Sequence, residues 1–308
     1  MRNANRANPS GIPLEVPAGT DGVIPAAAGP VEFEFWHSLR IPGLQIIHSN
    51  RHEHDYPAHL HDALEIIWIR SGSARLTCRD RTYEIVSGEA GIVPPNEIHS
   101  GGCSKPHLEY VAIHIPREIL QQIFGSFQVL VDSSGNPVPF KLMSRDQATT
   151  LLPILVRAIC ADLPAEKLLY LLQPVLCPML DAPSPQLEPV MGRASLHPAV
   201  CMAKSIIRDQ CANRVDINEL AERVDLDMRY LISLFKLATG MTPHQFQIAM
   251  RVDLARCLIQ DKLPLCEVAA RAGFSDQSHL NRHFKRQYGF TPGAFRESLT
   301  ERQNLVLS

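Results

Sequence analysis

The sequence predicts an α+β protein of more than one domain: an all-β barrel or sandwich with a helical hairpin, followed by an all-α domain. Three observations predict it. Short apolar-alternating runs punctuated by turns fill residues 31–115; leucine-rich stretches at helical spacing follow; and after a proline-rich interruption the chain repeats itself. At 308 residues the chain is too long for one compact core, since domains cluster near roughly 100–200 residues. With 45% hydrophobic and 20% charged residues, wholesale disorder, collagen and coiled-coil fibre are excluded.

Each segment has its own signal. The runs Leu44–His48, Leu64–Arg70, Ala74–Cys78, Tyr83–Val86, Ala90–Val93 and Leu108–Ile115 read as strands of a closed all-β unit. Arg145–Asp162 and Ala165–Asp181 place Leu, Ile and Val at helical spacing, with Leu163-Pro164 as the break, so a helical hairpin is expected over 145–181. Its leucines pack on the sheet or form a subunit contact. Residues 182–197 hold Pro183, Pro185 and Pro189 and serve as a linker, because such a stretch neither continues a helix nor pairs in a sheet. Residues 1–30, rich in Pro, Gly and Ala with Arg2 and Arg6 but no apolar core, read as a loose arm rather than a signal peptide. The longest apolar runs, Leu151–Ile159 and Leu168–Leu172, fall well short of the roughly 20 residues a bilayer requires. A cytoplasmic protein with no membrane partner is expected. Eight cysteines without a Cys-x-x-Cys pair are expected to be reduced core residues.

Net charge is only −2, but it is segregated. Residues 197–308 carry 15 Lys and Arg against 12 Asp and Glu, whereas residues 1–196 carry 15 against 20. A surface that binds phosphate must supply cations, so the second half is the one suited to nucleic acid. That half is duplicated. At an offset of 49 residues, Asp227, Leu231, Phe235, Lys236, Gly240, Thr242, Pro243 and Phe246 superpose on Asp276, Leu280, Phe284, Lys285, Gly289, Thr291, Pro292 and Phe295. Each copy ends in Gly-x-Thr-Pro, in which Gly suits a left-handed C-cap and Thr-Pro the start of the next helix. In the second copy, Cys266–Ala272, the turn Gly273-Phe274 and Gln277–Tyr288 read as helix, tight turn, helix, with Leu280, Phe284 and Tyr288 inward. The first copy reads likewise through Ile217–Val224, Asp225 and Asp227–Thr239. Such units place their second helix in the DNA major groove. The candidate DNA-facing residues are Met228, Arg229, Tyr230, Ser233 and Lys236, then Asp276, Gln277, Ser278, His279, Asn281, Arg282 and Lys285. Between the copies, residues 243–260 form a strut of about 27 Å at 1.5 Å per residue. It can set the two reading helices roughly one DNA turn apart, about 34 Å.

The motif Arg251-x-x-x-Ala255-Arg256-x-Leu258, then Val268-Ala269-x-x-x-Gly273-Phe274, Ser278-His279-Leu280-x-Arg282-x-Phe284-Lys285, Gly289-Phe290-Thr291-Pro292 and Phe295-Arg296, resembles the AraC/XylS family of transcriptional regulators. The resemblance implies a tandem helix-turn-helix domain over 198–300, with 301–308 as a tail, joined to an N-terminal sensor. It also implies a ligand-responsive activator that binds double-stranded promoter DNA, contacts RNA polymerase and forms a homodimer. Ser233 stands where the first copy of the family often carries Arg.

In the first half, His59-x-His61-x-x-x-Glu65, then Gly72, and Pro95-x-Glu97-x-His99 resemble the two motifs of a cupin barrel, with Glu97 at a glycine position of the second motif. Alternate strand residues point the same way, which would aim His59, His61 and Glu65 into one cavity, with His99 from a neighbouring strand. Three imidazoles and a carboxylate suit a divalent first-row metal, and the same set serves equally as polar groups of a pocket. The candidate effector pocket comprises Tyr56, His59, His61, Glu65, Trp68 and His99. His52 and His54 read as solvated. No nucleophile–base pair or phosphate-cradling loop is present, so no catalytic residue is assigned. The reading is a regulator rather than an enzyme, the alternative being a metal-dependent cupin enzyme with a helical tail.

Overall fold

The computed structural model describes residues 33–52, 55–78, 81–104, 107–124, 140–176, 197–260 and 263–306. The arm expected over 1–30 and nearly all of the linker expected over 182–197 lie outside them. The first half holds ten strands among the described residues: β1 Phe33–His37, β2 Gln45–His52, β3 Tyr56–His59, β4 Ala63–Ser71, β5 Ser73–Cys78, β6 Arg81–Val86, β7 Ala90–Val93, β8 His99–Cys103, β9 Leu108–Pro116 and β10 Lys141–Met143. They form a six-stranded sheet, β1-β2-β9-β4-β7-β10, facing a four-stranded sheet, β3-β8-β5-β6. All their pairings are antiparallel.

Parity sorts the larger sheet. Leu64, Ile66 and Trp68 of β4 and Val111, Ile113 and Ile115 of β9 face outward into a core shared with helices α1 (Arg117–Phe124), α2 (Arg145–Cys160) and α3 (Ala165–Leu176). Glu65, Ile67 and Ile69, with Leu108, Tyr110, Ala112 and His114, face the barrel interior. The six-stranded sheet is therefore buried on both faces, which is why its central strands read as nearly continuous apolar runs. Helix α2 begins with a capping box, Ser144 with Gln147.

The helical half comprises α4 (Pro198–Asp209), α5 (Ile217–Arg223), α6 (Met228–Thr239), α7 (Pro243–Gln260), α8 (Leu265–Arg271), α9 (Gln277–Tyr288) and α10 (Pro292–Val306). Helix α10 runs into the stretch expected as a tail, because no Pro or Gly follows Gly293 before Val306. The duplicated helices share their ends. Asp227 caps α6 through the backbone N–H of Arg229 and Tyr230, Asp276 caps α9 through that of His279, and Gly240 and Gly289 end them at φ +75° and +84°. Asp225 at φ +54° and Gly273 at φ +83° make the two turns.

The two units are fixed to each other through the loop at 211–213. Gln247 donates to the carbonyls of Cys211 and Asn213 at 3.2 and 2.6 Å, and Arg251 to the same two at 2.7 and 2.8 Å. Gly273 of the second unit lies against that loop so closely that a Cβ would overlap the Ala212 carbonyl. A side chain there meets both a left-handed backbone and a clash, so Gly273→Val is expected to cost at least the ~1–3 kcal/mol of the backbone strain. The check is a thermal melt; a variant as stable as the parent would overturn the account of the turn.

On the outer sheet surface His48 bridges Glu34 at 3.0 Å and Glu109 at 3.2 Å. Burial alone would lower the His48 pKa, but the hydrogen bonds to Glu109 and Glu34 outweigh it and raise it. The bridge thus stabilises fully below the unfolded value of about 6.5, and that contribution disappears as pH rises through the higher folded value. The difference in melting temperature between the parent and His48→Gln should shrink from pH 6 to pH 9.

Candidate functional site

One end of the barrel interior gathers the polar side chains. His59 ends β3 and pairs across the ladder with His99 at the start of β8. Glu65 lies on β4 opposite His114 of β9, and His114 in turn lies opposite Gln45 of β2. His61 is not on a strand but in the connection between β3 and β4, where the chain passes from one sheet to the other. The alternation that was expected to align His59, His61 and Glu65 therefore does not operate, and they converge by crossing between sheets. The Nε2 atoms of His61 and His99 each lie 3.3 Å from Glu65 Oε2, and His114 Nε2 lies 3.4 Å from Oε1. Donor atoms of His59, His61 and His99 fall within 4.8 Å of one another, as do those of His61, Glu65 and His114.

The ring tautomers decide what this cluster can hold. His59, His61 and His99 each place Nδ1 against a backbone carbonyl, of Pro57 at 2.8 Å, Ala63 at 2.9 Å and Glu97 at 2.9 Å. A carbonyl only accepts, so each Nδ1 carries the hydrogen and each neutral ring turns an Nε2 lone pair inward. Lone pairs facing a carboxylate at 3.3 Å require a cation among them, either a proton or a metal ion. Metal-binding histidines are held by this kind of Nδ1–H to carbonyl bond. The residues therefore fit a divalent cation. Burial, with repulsion from His99 and His61, keeps His59 well below its ordinary pKa. Burial also lowers His114, to about 3. Glu65, which burial would push up, is held well below the carboxylate range by His61 and His99. His61 is raised, Glu65 overcoming the opposing effect of burial. Two further buried groups beside the cluster, the Gln45 amide and His114 Nδ1, have no hydrogen-bond partner among the described residues, as expected where a ligand or water completes the site.

Toward the barrel mouth the cluster opens into a cavity of about 80 Å³. Its walls include Tyr56 and Tyr110, whose hydroxyls meet at 2.7 Å, and apolar Ile67 and Leu76. The opposite wall comes from the helical half: Gln287 and Tyr288 at the end of α9, and Phe290 just beyond it. Trp68, expected in the pocket, is not there. It stands three residues from Glu65, so strand parity sends it to the outer face, into the core with the helices and under Arg70 at 4.7 Å. His61 does not line the cavity either; it sits behind it in the cluster. His114 was missed by sequence reasoning; its signal was parity with Tyr110 on the inward face of β9.

The remaining face of α9 is open. Gln277, Ser278, Arg282 and Lys285 are exposed, as are Arg229, Tyr230, Ser233 and Lys236 of α6. Met228 is half-buried against the first unit's core. Asp276 is exposed but commits a carboxylate oxygen to its cap. His279 and Asn281 are half-buried, and His279 packs edge-on to Phe274. His52 ends β2, and His54 lies outside the described residues.

A ligand-holding barrel joined to paired helix-turn-helix units defines a regulator of transcription whose sensing and DNA-binding parts share one chain. Residues 41–172 match the model of the AraC-like ligand binding domain and residues 220–298 that of a helix-turn-helix domain. The chain belongs to the AraC family of transcriptional regulators. It is 27% identical over 240 residues to the HTH-type transcriptional regulator YbfI of Bacillus subtilis, covering 73% of this chain and 81% of that one. It is 24% identical over 251 residues to the HTH-type transcriptional activator RhaS of Escherichia coli, covering 79% and 88%. Among solved structures it resembles ToxT of Vibrio cholerae bound to an unsaturated fatty acid, with a TM-score of 0.55 at 12% identity over 87% of this chain and 96% of that one, a likeness of fold.

The two C-cap glycines give a matched test of the docking. Both are left-handed, but a Cβ on Gly240 meets nothing within 4 Å, whereas on Gly289 it lies 3.1 Å from Phe33 and 3.4 Å from the Tyr56 hydroxyl. Gly240→Ala should lose only the backbone preference, ~1–2 kcal/mol. Gly289→Ala should lose more, by pressing on the barrel mouth. Equal shifts in chemical denaturation would deny that Gly289 sits at that contact.

Proposed function

We propose that this regulator senses a small ligand in the barrel and that occupancy alters how the helical half engages promoter DNA. The observation carrying this reading is that Gln287, Tyr288 and Phe290 complete the cavity wall, so any occupant touches the end of α9 itself. A ligand acts only by binding one arrangement better than another, and an occupant shared by both halves has that property. The cavity is well below the roughly 300–1,000 Å³ of drug-sized clefts, so in this arrangement it suits a small effector or a cation with water.

On DNA, α6 and α9 are the reading helices, the exposed Arg and Lys side chains holding phosphates and base edges. By likeness to RhaS we extend activation to this chain, with RNA polymerase as partner. We assign the hairpin of α2 and α3 to the contact between two subunits, and place the protein in the cytoplasm. The division into a sensor over 31–181 and a DNA-binding domain over 198–300 is part of the same proposal. The cluster's own ligand is a divalent first-row cation held by His59, His61, His99 and Glu65, with His114 beside it. When bound, it would supply the positive charge that the inward lone pairs and the carboxylate demand.

Two measurements test these assignments. On a duplex selected from a random pool, Arg282→Ala should cost ~1–3 kcal/mol and relax preference at one base pair, as a base contact does. Lys285→Ala should instead weaken all sequences alike and reduce the salt slope by about one. Protein prepared without chelator should bind one Zn²⁺ or Co²⁺ per chain, and Glu65→Gln or His99→Ala should bind at least about tenfold more weakly; unchanged affinity in both would remove the metal assignment.

A further inference from the structure

The connection at residues 60–62 is held by the helical half on both sides of His61. Leu60 is fully buried, and its side chain belongs to the core of the first helix-turn-helix unit, with Val200, Phe246 and Met250. Its carbonyl accepts from Gln287 at 3.4 Å. The backbone N–H of Asp62 donates to Asp253 of α7 at 3.0 Å, and Asp253 also takes Arg256 at 3.1 Å and the Tyr288 hydroxyl at 3.4 Å. Between these grips His61 turns back into the barrel, toward the Ala63 carbonyl and Glu65. Three consecutive residues thus alternate between a helical-domain core, the cation cluster and a helical-domain carboxylate.

We propose that Leu60–Asp62 is the transmission element of the regulator: a divalent cation that fixes His61 fixes the docking of both helix-turn-helix units through Leu60, Gln287 and Asp253, and their docking in turn sets cation affinity. This rests on the reading of the histidine cluster as a cation site. A small displacement of His61 is shared by its two neighbours, because adjacent residues in a packed connection have no free torsion left to absorb it. Coupling of this kind is reciprocal: the factor by which Zn²⁺ changes DNA affinity equals that by which DNA changes Zn²⁺ affinity. Asp253 and Gln287 are positioning residues for the site; neither is assigned as a ligand.

The full-length protein is assayed for Co²⁺ binding by visible absorption and for Zn²⁺ affinity by chelator competition, each with and without a duplex selected from a random pool. Duplex affinity is measured with and without Zn²⁺. In the parent, Zn²⁺ should change duplex affinity at least about threefold, and the duplex should change Zn²⁺ affinity by the same factor. In Gln287→Met, which keeps the volume and removes the donor, both factors should fall toward one while one Co²⁺ per chain still binds. Asp253→Asn should do the same; because it leaves Arg256 buried without its charge partner and risks misfolding, Gln287→Met decides if it does not fold. A parent that binds Zn²⁺ with no change in duplex affinity, or a Gln287→Met protein that keeps the parent's factor, overturns the transmission role and leaves the cation site standing. A parent that binds no Co²⁺ overturns both.

Discussion

A buried carboxylate joins segments from both halves of this molecule. Asp253 is 5% exposed and takes donors from three segments: Arg256 on its own helix, Tyr288 at the end of α9 and the backbone of Asp62 in the barrel. A buried charge is tolerable only when its lone pairs are filled, and removing one partner of such a pair costs on the order of 3–5 kcal/mol. The position of the strut helix, the end of α9 and the β3–β4 connection are thereby mutually fixed. Arg256 is likewise buried, and Asp253 holds its pKa above the usual arginine value despite burial.

From this constraint follows a division of labour along α9. Its first turns present Gln277, Ser278 and Arg282 to solvent, while Gln287 and Tyr288 at its other end are buried, with Phe290 beyond them, against the barrel. One rigid element of 12 residues therefore carries both the surface proposed to face DNA and a cavity wall. No hinge separates sensing from reading within that helix. The loop at 211–213, clamped by Gln247 and Arg251 and covered by Gly273, extends the rigidity to the first unit.

What the sequence could disclose depended on whether a signal was local. The duplicated helices were legible because Asp caps, inward Leu and Phe and the Gly-x-Thr-Pro endings each have a physical reason at a fixed interval, and both copies carry them. His59 and His99 were legible as a pair from their motifs. Trp68 was misplaced because aromatic character says nothing of which sheet face a residue occupies; counting from Glu65 would have sent it outward. His61 lies beside His59 and His99 although it stands on no strand, since the connection between sheets breaks the alternation. Leu60 was illegible, and His114 showed itself only through its parity with Tyr110. Leu60 is indistinguishable from any core leucine until the helices that surround it are in place.

The aromatic seam at β1 bears on how the protein behaves when its halves part. Phe33 and Phe35 pack on Phe290 at 5.4 and 4.6 Å, and Phe35 on Phe295 at 6.0 Å. Among the described residues β1 pairs in the sheet only with β2, and this seam covers its phenyl rings. Undocking would uncover a row of phenyl rings, an apolar patch through which separate molecules adhere to one another. The undocked form is thus a self-associating species by construction, and excision of the barrel alone would leave a sticky fragment rather than a well-behaved sensor.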